Sequence, residues 1–300
     1  MNAILEQLDA PRPALWLELS PPRGIATDSL LGKVAAVRGV AGAINLVDNA
    51  LGRVKLSPLV FGGMIKAQLS IPVVLNFSCR DRNRAALKSD LLGAGALGID
   101  AVVALAGDKL VAHEGAPRPV HDVDPFGLLG IIGDLRRGDT GEGKRLLKTL
   151  PRFAAGAVAN PNRKDLDREY AILERKAAAG AEFVITQPVF DADAAAAFVD
   201  RARRMGLRVV LGILPVKREA MASYLKDKIP DLREASAHFD RYAGLSEADA
   251  RRISIESSLA LMRALGEVAA GFNIMSGGGP SLAIELALEY GRPRGHLQVK

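Results

Sequence analysis

A single-domain (β/α)₈ barrel is the fold this 300-residue sequence predicts, and three observations predict it. Eight short apolar runs alternate with helical, amphipathic stretches over about 260 residues, the number and span that close such a barrel. The runs are almost continuously apolar rather than alternating, as expected of parallel strands covered on both faces. No glycine fingerprint of a dinucleotide-binding open sheet follows the first run, which ranks a doubly wound sheet second.

The predicted strands are LWLEL (15–19), AINLV (43–47), PVVLNF (72–77) and DAVVALA (100–106). After a longer interval come FAAGAVA (153–159), EFVIT (182–186), LRVVLGIL (207–214) and GFNIM (271–275). DREYAILERKAAAGA (167–181) and DADAAAAFVDRARRMG (191–206) have helical periodicity. The second starts at Asp191, whose carboxylate suits an N-cap, and stops at Gly206. Gly39, Gly98 and Gly180 likewise close helical stretches ahead of strands. The charged, Gly-rich GDLRRGDTGEGKR (133–145) predicts a loop-rich surface excursion near 133–150 within one domain covering 1–300.

Composition narrows the function. A hydrophobic share of 49% with 25% charged residues describes a globular chain with a sizeable core. No apolar stretch approaches the roughly 20 residues of a membrane span, and MNAILEQLDAPRP lacks the basic-then-apolar pattern of a signal peptide. The single cysteine, Cys79, excludes an intrachain disulfide and points to a reducing cytoplasm. Four scattered histidines argue against a metal site. The net charge of +6 suits anionic partners, but scattered basic residues and 5% aromatics argue against nucleic acid. A phosphate-bearing cofactor or a carboxylate-rich small substrate accounts for the charge equally well.

Catalytic residues of a barrel project from the carboxyl ends of its strands. Those ends carry Glu18, Asp48-Asn49, Asn76 to Asp81, Asp108, Asn160-Pro161-Asn162, Gln187, Lys217 and Ser276 to Gly279. Glu18 stands out, because a carboxylate inside an apolar run is penalised by burial unless it lies on a wet edge or does chemistry. Asp108 is a turn residue or a site residue, and Gln187 a loop amide or the reader of a heterocycle edge. Lys176 is either the solvated face of a helix or an anion contact. Cys79 has no histidine nearby in sequence to activate it as a nucleophile. GGGPS (277–281) forms either a tight turn or an anion-binding helix start.

Taken in order, these segments resemble the methylenetetrahydrofolate reductase family. E-x-x-P-P-R is matched by Glu18-Leu-Ser-Pro-Pro-Arg23, and C-R-D-x-N by Cys79-Arg-Asp-Arg-Asn83. A-L-R-G-D appears as Ala104-Leu-Ala-Gly-Asp108, and A-N-P as Ala159-Asn-Pro161. The T-Q-containing segment spans Gly180 to Asp191, and G-I-x-P follows as Gly212-Ile-Leu-Pro-Val216. The resemblance implies a flavin-containing barrel that reduces 5,10-methylenetetrahydrofolate to 5-methyltetrahydrofolate, with FAD as relay and NADH or NADPH as donor. It implies that Glu18 is the general acid and that Asp108 supports the cationic intermediate near flavin and pterin. It further implies that Gln187 binds folate, and that Asn76, Ser78, Asp108, Asn160, Glu169 and Lys176 surround the flavin. A carboxyl at an apolar strand end holds its proton near neutral pH, which is what a general acid needs.

The chain also departs from the family pattern. Asn76-Phe-Ser-Cys79 stands for H-L-T-C, Ala106 for the arginine of R-G-D, and Phe272-Asn-Ile-Met-Ser276 for H-F-Y-T-L-N. A flavin barrel dehydrogenase with another substrate, and a non-catalytic flavin- or folate-binding subunit, are the competing expectations. Folate and a nicotinamide nucleotide are the expected partners, with neither membrane nor nucleic acid; a homo-oligomer is compatible with the sequence.

Overall fold

The computed structural model describes residues 2–108, 110, 117–141, 143, 149–277 and 279–292. Its strands are β1 (Ala14–Leu19), β2 (Ala43–Leu46), β3 (Val73–Ser78), β4 (Ala101–Leu105), β5 (Ala154–Ala159), β6 (Phe183–Pro188), β7 (Arg208–Ile213) and β8 (Gly271–Ile274). They form a closed parallel barrel in sequence order, β8 pairing with β1. The first half carries helices α1 (Ala3–Leu8), α2 (Asp28–Ala35), α3 (Pro58–Leu69), α4 (Arg84–Ala96) and α5 (Pro125–Arg136). The second half carries α6 (Leu166–Ala178), α7 (Ala192–Arg204), α8 (Glu219–Lys228), α9 (Ser236–Asp240), α10 (Glu247–Ala264) and α11 (Ser281–Gly291). The barrel is the fold the alternating apolar runs predict. Every strand lies within two residues of its expected bounds.

Local chemistry starts and stops the helices as the sequence suggests. The Asp191 carboxylate accepts from the Ala194 amide, and Gly39, Gly98, Gly180 and Gly206 all have positive φ. The stretch at 133–145 is different at its start. Gly133–Arg136 form the last turn of α5, whose Leu128, Leu129, Ile131, Ile132 and Leu135 are buried. That apolar face outweighs the glycines' cost of about 1 kcal/mol each in a helix. Residues 142 and 144–148 lie outside the described set.

The amino end of the barrel is closed. Trp16 and Phe183 meet edge to face inside it at 5.6 Å, together with Val74, Val103, Ile185 and Val210. A Cβ on Gly156 would stand 2.4 Å from the Phe183 ring, so only glycine lets that ring cross β5. Below them, α1 supplies Ile4 and Leu8 as a plug, held by Asn2 Nδ2 donating to the carbonyls of Asp100 and Arg152 at 2.8 Å each. The Trp16 indole donates to Gln7 Oε1 at 3.2 Å. Among the described residues the carboxyl end has no such plug. The connection from β7 to β8 carries α8, α9 and α10 and its own apolar cluster of Val216, Leu225, Phe239, Tyr242 and Ala250.

Candidate active site

Glu18 sits near the carboxyl end of β1, two residues above Trp16 and pointing the same way, since side chains alternate along a strand. β2 pairs Asn45 with it in register, and β8 places Asn273 opposite Trp16, one step below. The Asn273 amide donates to Glu18 Oε2 at 2.8 Å, and the Asn45 amide reaches the same oxygen at 3.4 Å. Asn45 Nδ2 also faces Asn273 Oδ1 at 3.3 Å. Its own Oδ1 accepts from Asn76 Nδ2 at 2.9 Å, and that nitrogen also donates to the Leu46 carbonyl at 3.1 Å. Four adjacent strands, β8, β1, β2 and β3, therefore contribute one polar layer above an apolar barrel interior. Burial raises the Glu18 carboxyl to about 7, and the Asn273 hydrogen bond only partly offsets it. Such a group is protonated or ionised with little cost near neutrality, as a proton donor requires.

The neighbouring loops are tied by a buried arginine. Arg80 holds Asp81 through two bonds of 2.7 and 2.6 Å. Its guanidinium also donates to the carbonyls of Asn49 at 3.1 Å and Asp108 at 3.2 Å. The Asp108 side chain is exposed and accepts from the Leu51 amide at 2.6 Å. Gly107 precedes it with φ +91°, and a Cβ there would meet Ser78 Oγ at 2.3 Å. The residues that open the loops after β2, β3 and β4 are thus tied together. Asp48 belongs with them, accepting from the Ser78 amide at 3.0 Å and pairing with Arg82 at 2.6 Å.

Gln187 is exposed at the carboxyl end of β6. Glu18, Asp108 and Gln187 all lie at that end of the barrel, on β1, after β4 and on β6. Lys176 is neither on a solvated face nor presented outward: it is buried, and Nζ donates to the Val158 carbonyl at 2.6 Å. Burial pushes its ammonium below the usual lysine value, with Glu169 opposing. The buried Glu169 accepts from the Asn160 amide at 2.9 Å and pairs with Arg163 at 2.8 Å. Asn160 Nδ2 donates to Asp231 at 2.7 Å. Ser78 is fully buried, accepting from the Arg80 amide at 3.0 Å.

Of the six residues expected around a flavin, Asn76, Ser78, Glu169 and Lys176 are thus buried, and each is hydrogen-bonded within the protein. Only Asp108 and Asn160 offer side chains that are not buried. This set does not compose a cradle for a dinucleotide. Cys79 is buried and its thiol is pushed up to about 11 by burial and by Asp124, the state of an unreactive cysteine.

Beyond β7 a cavity of about 780 Å³ opens between the start of α8, the start of α10 and the turn from β8 into α11. Lys217, Arg218, Arg251 and Glu247 line it beside Leu214, Met221 and Leu282, with Arg218 paired to Glu247 at 3.8 Å and Arg251 to Glu285. Burial lowers the Lys217 ammonium, and Arg251, Arg218 and Lys33 lower it further. Gly277 belongs to its wall, where a Cβ would press on Met221 at 2.8 Å and Leu214 at 2.9 Å. That contact explains Gly277 by packing. Gly278 lies outside the described residues, so the anion-loop reading of 277–281 rests on Gly277, Gly279 and the start of α11 alone.

Asn45 and Asn273 are functional candidates that sequence reading passes over, and Arg80 enters it only as part of the stretch from Asn76 to Asp81. The signal for the two asparagines was present: both are polar residues inside apolar runs, the same anomaly that marks Glu18. Among the described residues no group of three or more His, Cys, Asp or Glu side chains could hold a metal ion. No described helix is long and apolar enough to cross a membrane.

Comparison with solved structures returns barrels. A protein from Clostridium thermocellum, described as uncharacterised and binding two copies of 5-methyl-5,6,7,8-tetrahydrofolic acid, aligns with a TM-score of 0.61 at 15% identity, over 96% of each chain. A protein from Aquifex aeolicus VF5 aligns at 0.55 and 11% identity, over 97% of this chain and 98% of that one. Tryptophan synthase from M. tuberculosis aligns at 0.53 and 13% identity, with the same coverage. At such identities the likeness concerns the fold. The sequence model of methylenetetrahydrofolate reductase, however, matches residues 3–269, and with the E-x-x-P-P-R glutamate at the barrel mouth the chain belongs to that family.

Proposed function

We propose that this chain reduces 5,10-methylenetetrahydrofolate to 5-methyltetrahydrofolate, with NADH or NADPH as the hydride source. The observation that carries the reading is Glu18, a half-buried carboxyl raised to about 7 at the barrel mouth. The bridging carbon of the substrate is bonded to two ring nitrogens. Glu18 protonates the nitrogen that leaves, which takes the electron pair of the breaking C–N bond. The iminium carbon so formed accepts hydride, and the nicotinamide leaves oxidised. Asp108 supplies negative charge facing that cation, and Gln187 pairs with the pterin edge.

The basic, partly apolar cavity beside β7 suits the rest of such a substrate, an aromatic linker ending in carboxylates. The structural relative from Clostridium thermocellum binds a methylated tetrahydrofolate, which agrees with this substrate class. The family resemblance implies FAD as relay. Four of the six side chains it would need are buried and hydrogen-bonded within the protein, so the hydride passes directly from nicotinamide to substrate. Placement in the cytoplasm follows the single reduced cysteine and remains part of the proposal.

The test is the purified protein's visible spectrum, followed by NADH and NADPH oxidation with methylenetetrahydrofolate. A colourless preparation that turns over is the expected result. A yellow preparation whose turnover is lost when flavin is stripped and regained on its return would overturn the flavin-free route. Folded protein with no folate turnover, with or without added FAD, would overturn the reductase reading and favour the binding subunit.

A further inference from the structure

The amides around Glu18 run in one direction. A backbone carbonyl can only accept, so the Leu46 carbonyl forces the Asn76 amide to present Nδ2, at 3.1 Å. That same nitrogen meets Asn45 Oδ1 at 2.9 Å, which turns the Asn45 nitrogen the other way, towards Asn273 Oδ1 at 3.3 Å. Asn273, its oxygen thus engaged, has only its nitrogen left for Glu18, at 2.8 Å. Each flip is fixed by the one before it. The chain ends with two N–H donors aimed at one carboxyl oxygen, Oε2. Among the described residues Glu18 Oε1 has no hydrogen-bond partner.

A proton on Oε2 would point at hydrogens already aimed at that oxygen, whereas a proton on Oε1 meets none. We propose that Asn273, backed by Asn45, is the positioning residue of the Glu18 acid, holding Oε2 as acceptor and leaving Oε1 as the oxygen that carries and delivers the proton. The amide chain is also a brake. Two donors at Oε2 favour the carboxylate, so they limit how far burial lifts the group and keep it able to release a proton near neutrality.

Among the described residues, other charges do not compete for this role. β2 and β8 present only Asn45 and Asn273 to Glu18, and the interior below it is apolar, from Trp16 and Val74 to Val103, Ile185 and Val210. At the same end of the barrel, Asp48 is taken by Arg82 and Arg80 by Asp81. Lys55 donates to the Pro21 carbonyl at 3.4 Å, and Asp108 accepts from the Leu51 amide. Burial and the Asn273 amide are what set the Glu18 titration.

The role assigned to Asn273 rests on Glu18 being the acid, but its first test needs no folate. The Glu18 carboxyl stretch is followed by infrared difference spectroscopy of ligand-free protein against pH, with Glu18→Gln as the blank. In Asn273→Ala the midpoint should move up by about one pH unit, the size expected for losing one charge-assisted bond partly replaced by water. In Asn45→Ala it should move in the same direction by less, and that variant decides the matter if Asn273→Ala does not fold. The falling limb of kcat/KM for folate reduction should shift with it, while kcat drops about tenfold and KM changes little. A Glu18 midpoint unmoved in folded variants overturns the proposal even where the parent chain reduces folate. A shifted midpoint in a chain that does not turn over folate leaves the positioning role standing and removes the reductase reading.

Discussion

Trp16 and Glu18 are two residues apart on β1 and point into the same barrel, yet their surroundings have nothing in common. Trp16 is fully buried, packed against Phe183 and closed off by α1. Glu18 looks out of the other end, held by amides from β2 and β8 with the Asn76 amide of β3 behind Asn45. The lower layer is apolar because nothing there can reach water. The upper layer is polar, and its polar atoms are spent on holding one carboxyl. Depth along the strand, not the strand itself, decides whether an inward residue stabilises the fold or does chemistry.

The largest effect should come from breaking the upper layer at its centre. Glu18→Gln keeps shape and hydrogen bonding but has no proton to give, so folate reduction should fall by about 10²–10⁴. Stopped-flow measurement of NADH or NADPH oxidation in a single turnover with methylenetetrahydrofolate checks it. A change under threefold would return Glu18 to the status of a solvated strand-end residue.

The lower layer should respond in stability instead. Phe183→Ala removes the ring that fills the barrel beneath the site and should cost about 3–5 kcal/mol. Denaturant unfolding measures this directly. Residual activity per folded molecule should stay within a fewfold of the parent, because the amide layer is untouched. A variant of full stability but no activity would mean the two layers are not separable.

The same contrast explains what the sequence made legible. The eight strands were readable because each is buried on both faces and therefore apolar, and Glu18 was readable as the exception. Asn45 and Asn273 are the same kind of exception, but an amide in an apolar run is less anomalous than a carboxylate, and their meeting across β8, β1 and β2 exists only in the closed barrel. Lys176 shows the opposite difficulty. Its helical spacing suggests a wet face, and only the fold reveals that its long stem carries Nζ in to the Val158 carbonyl. The end of α5 was hidden by its glycines, whose cost is met by packing that no local propensity records.

A third expectation sharpens the division within the upper end itself, between the acid and the basic cavity. Lys217→Ala should weaken substrate binding through the cavity while leaving proton delivery alone. KM for the folate should rise about tenfold, the value of a charge-assisted contact, with kcat changed less than threefold. Shortening the carboxylate tail of the substrate should lose its effect in this variant. An equal fall in kcat would mean that Lys217 bears on the reacting centre.

The smallest effect separates the two ends by pH. The Glu18 carboxyl is raised to about 7 from an ordinary value near 4.5, so between those values the folded chain holds a proton that the unfolded chain has lost. Stability must then fall as pH rises through that window, because the unfolded state binds fewer protons. Above about 7 the folded state carries the full penalty of a desolvated charge; below about 4.5 it carries none. Glu18→Gln abolishes the penalty and keeps a hydrogen-bond acceptor for Asn273. Its melting temperature should therefore exceed the parent's by a few degrees at about pH 8 and match it at about pH 4.5. Phe183→Ala, acting in the apolar layer, should show the same deficit at both. If Glu18→Gln instead gains nothing at the higher pH, the carboxylate is solvated in the folded state, and the barrel mouth is wetter than its amide ring implies.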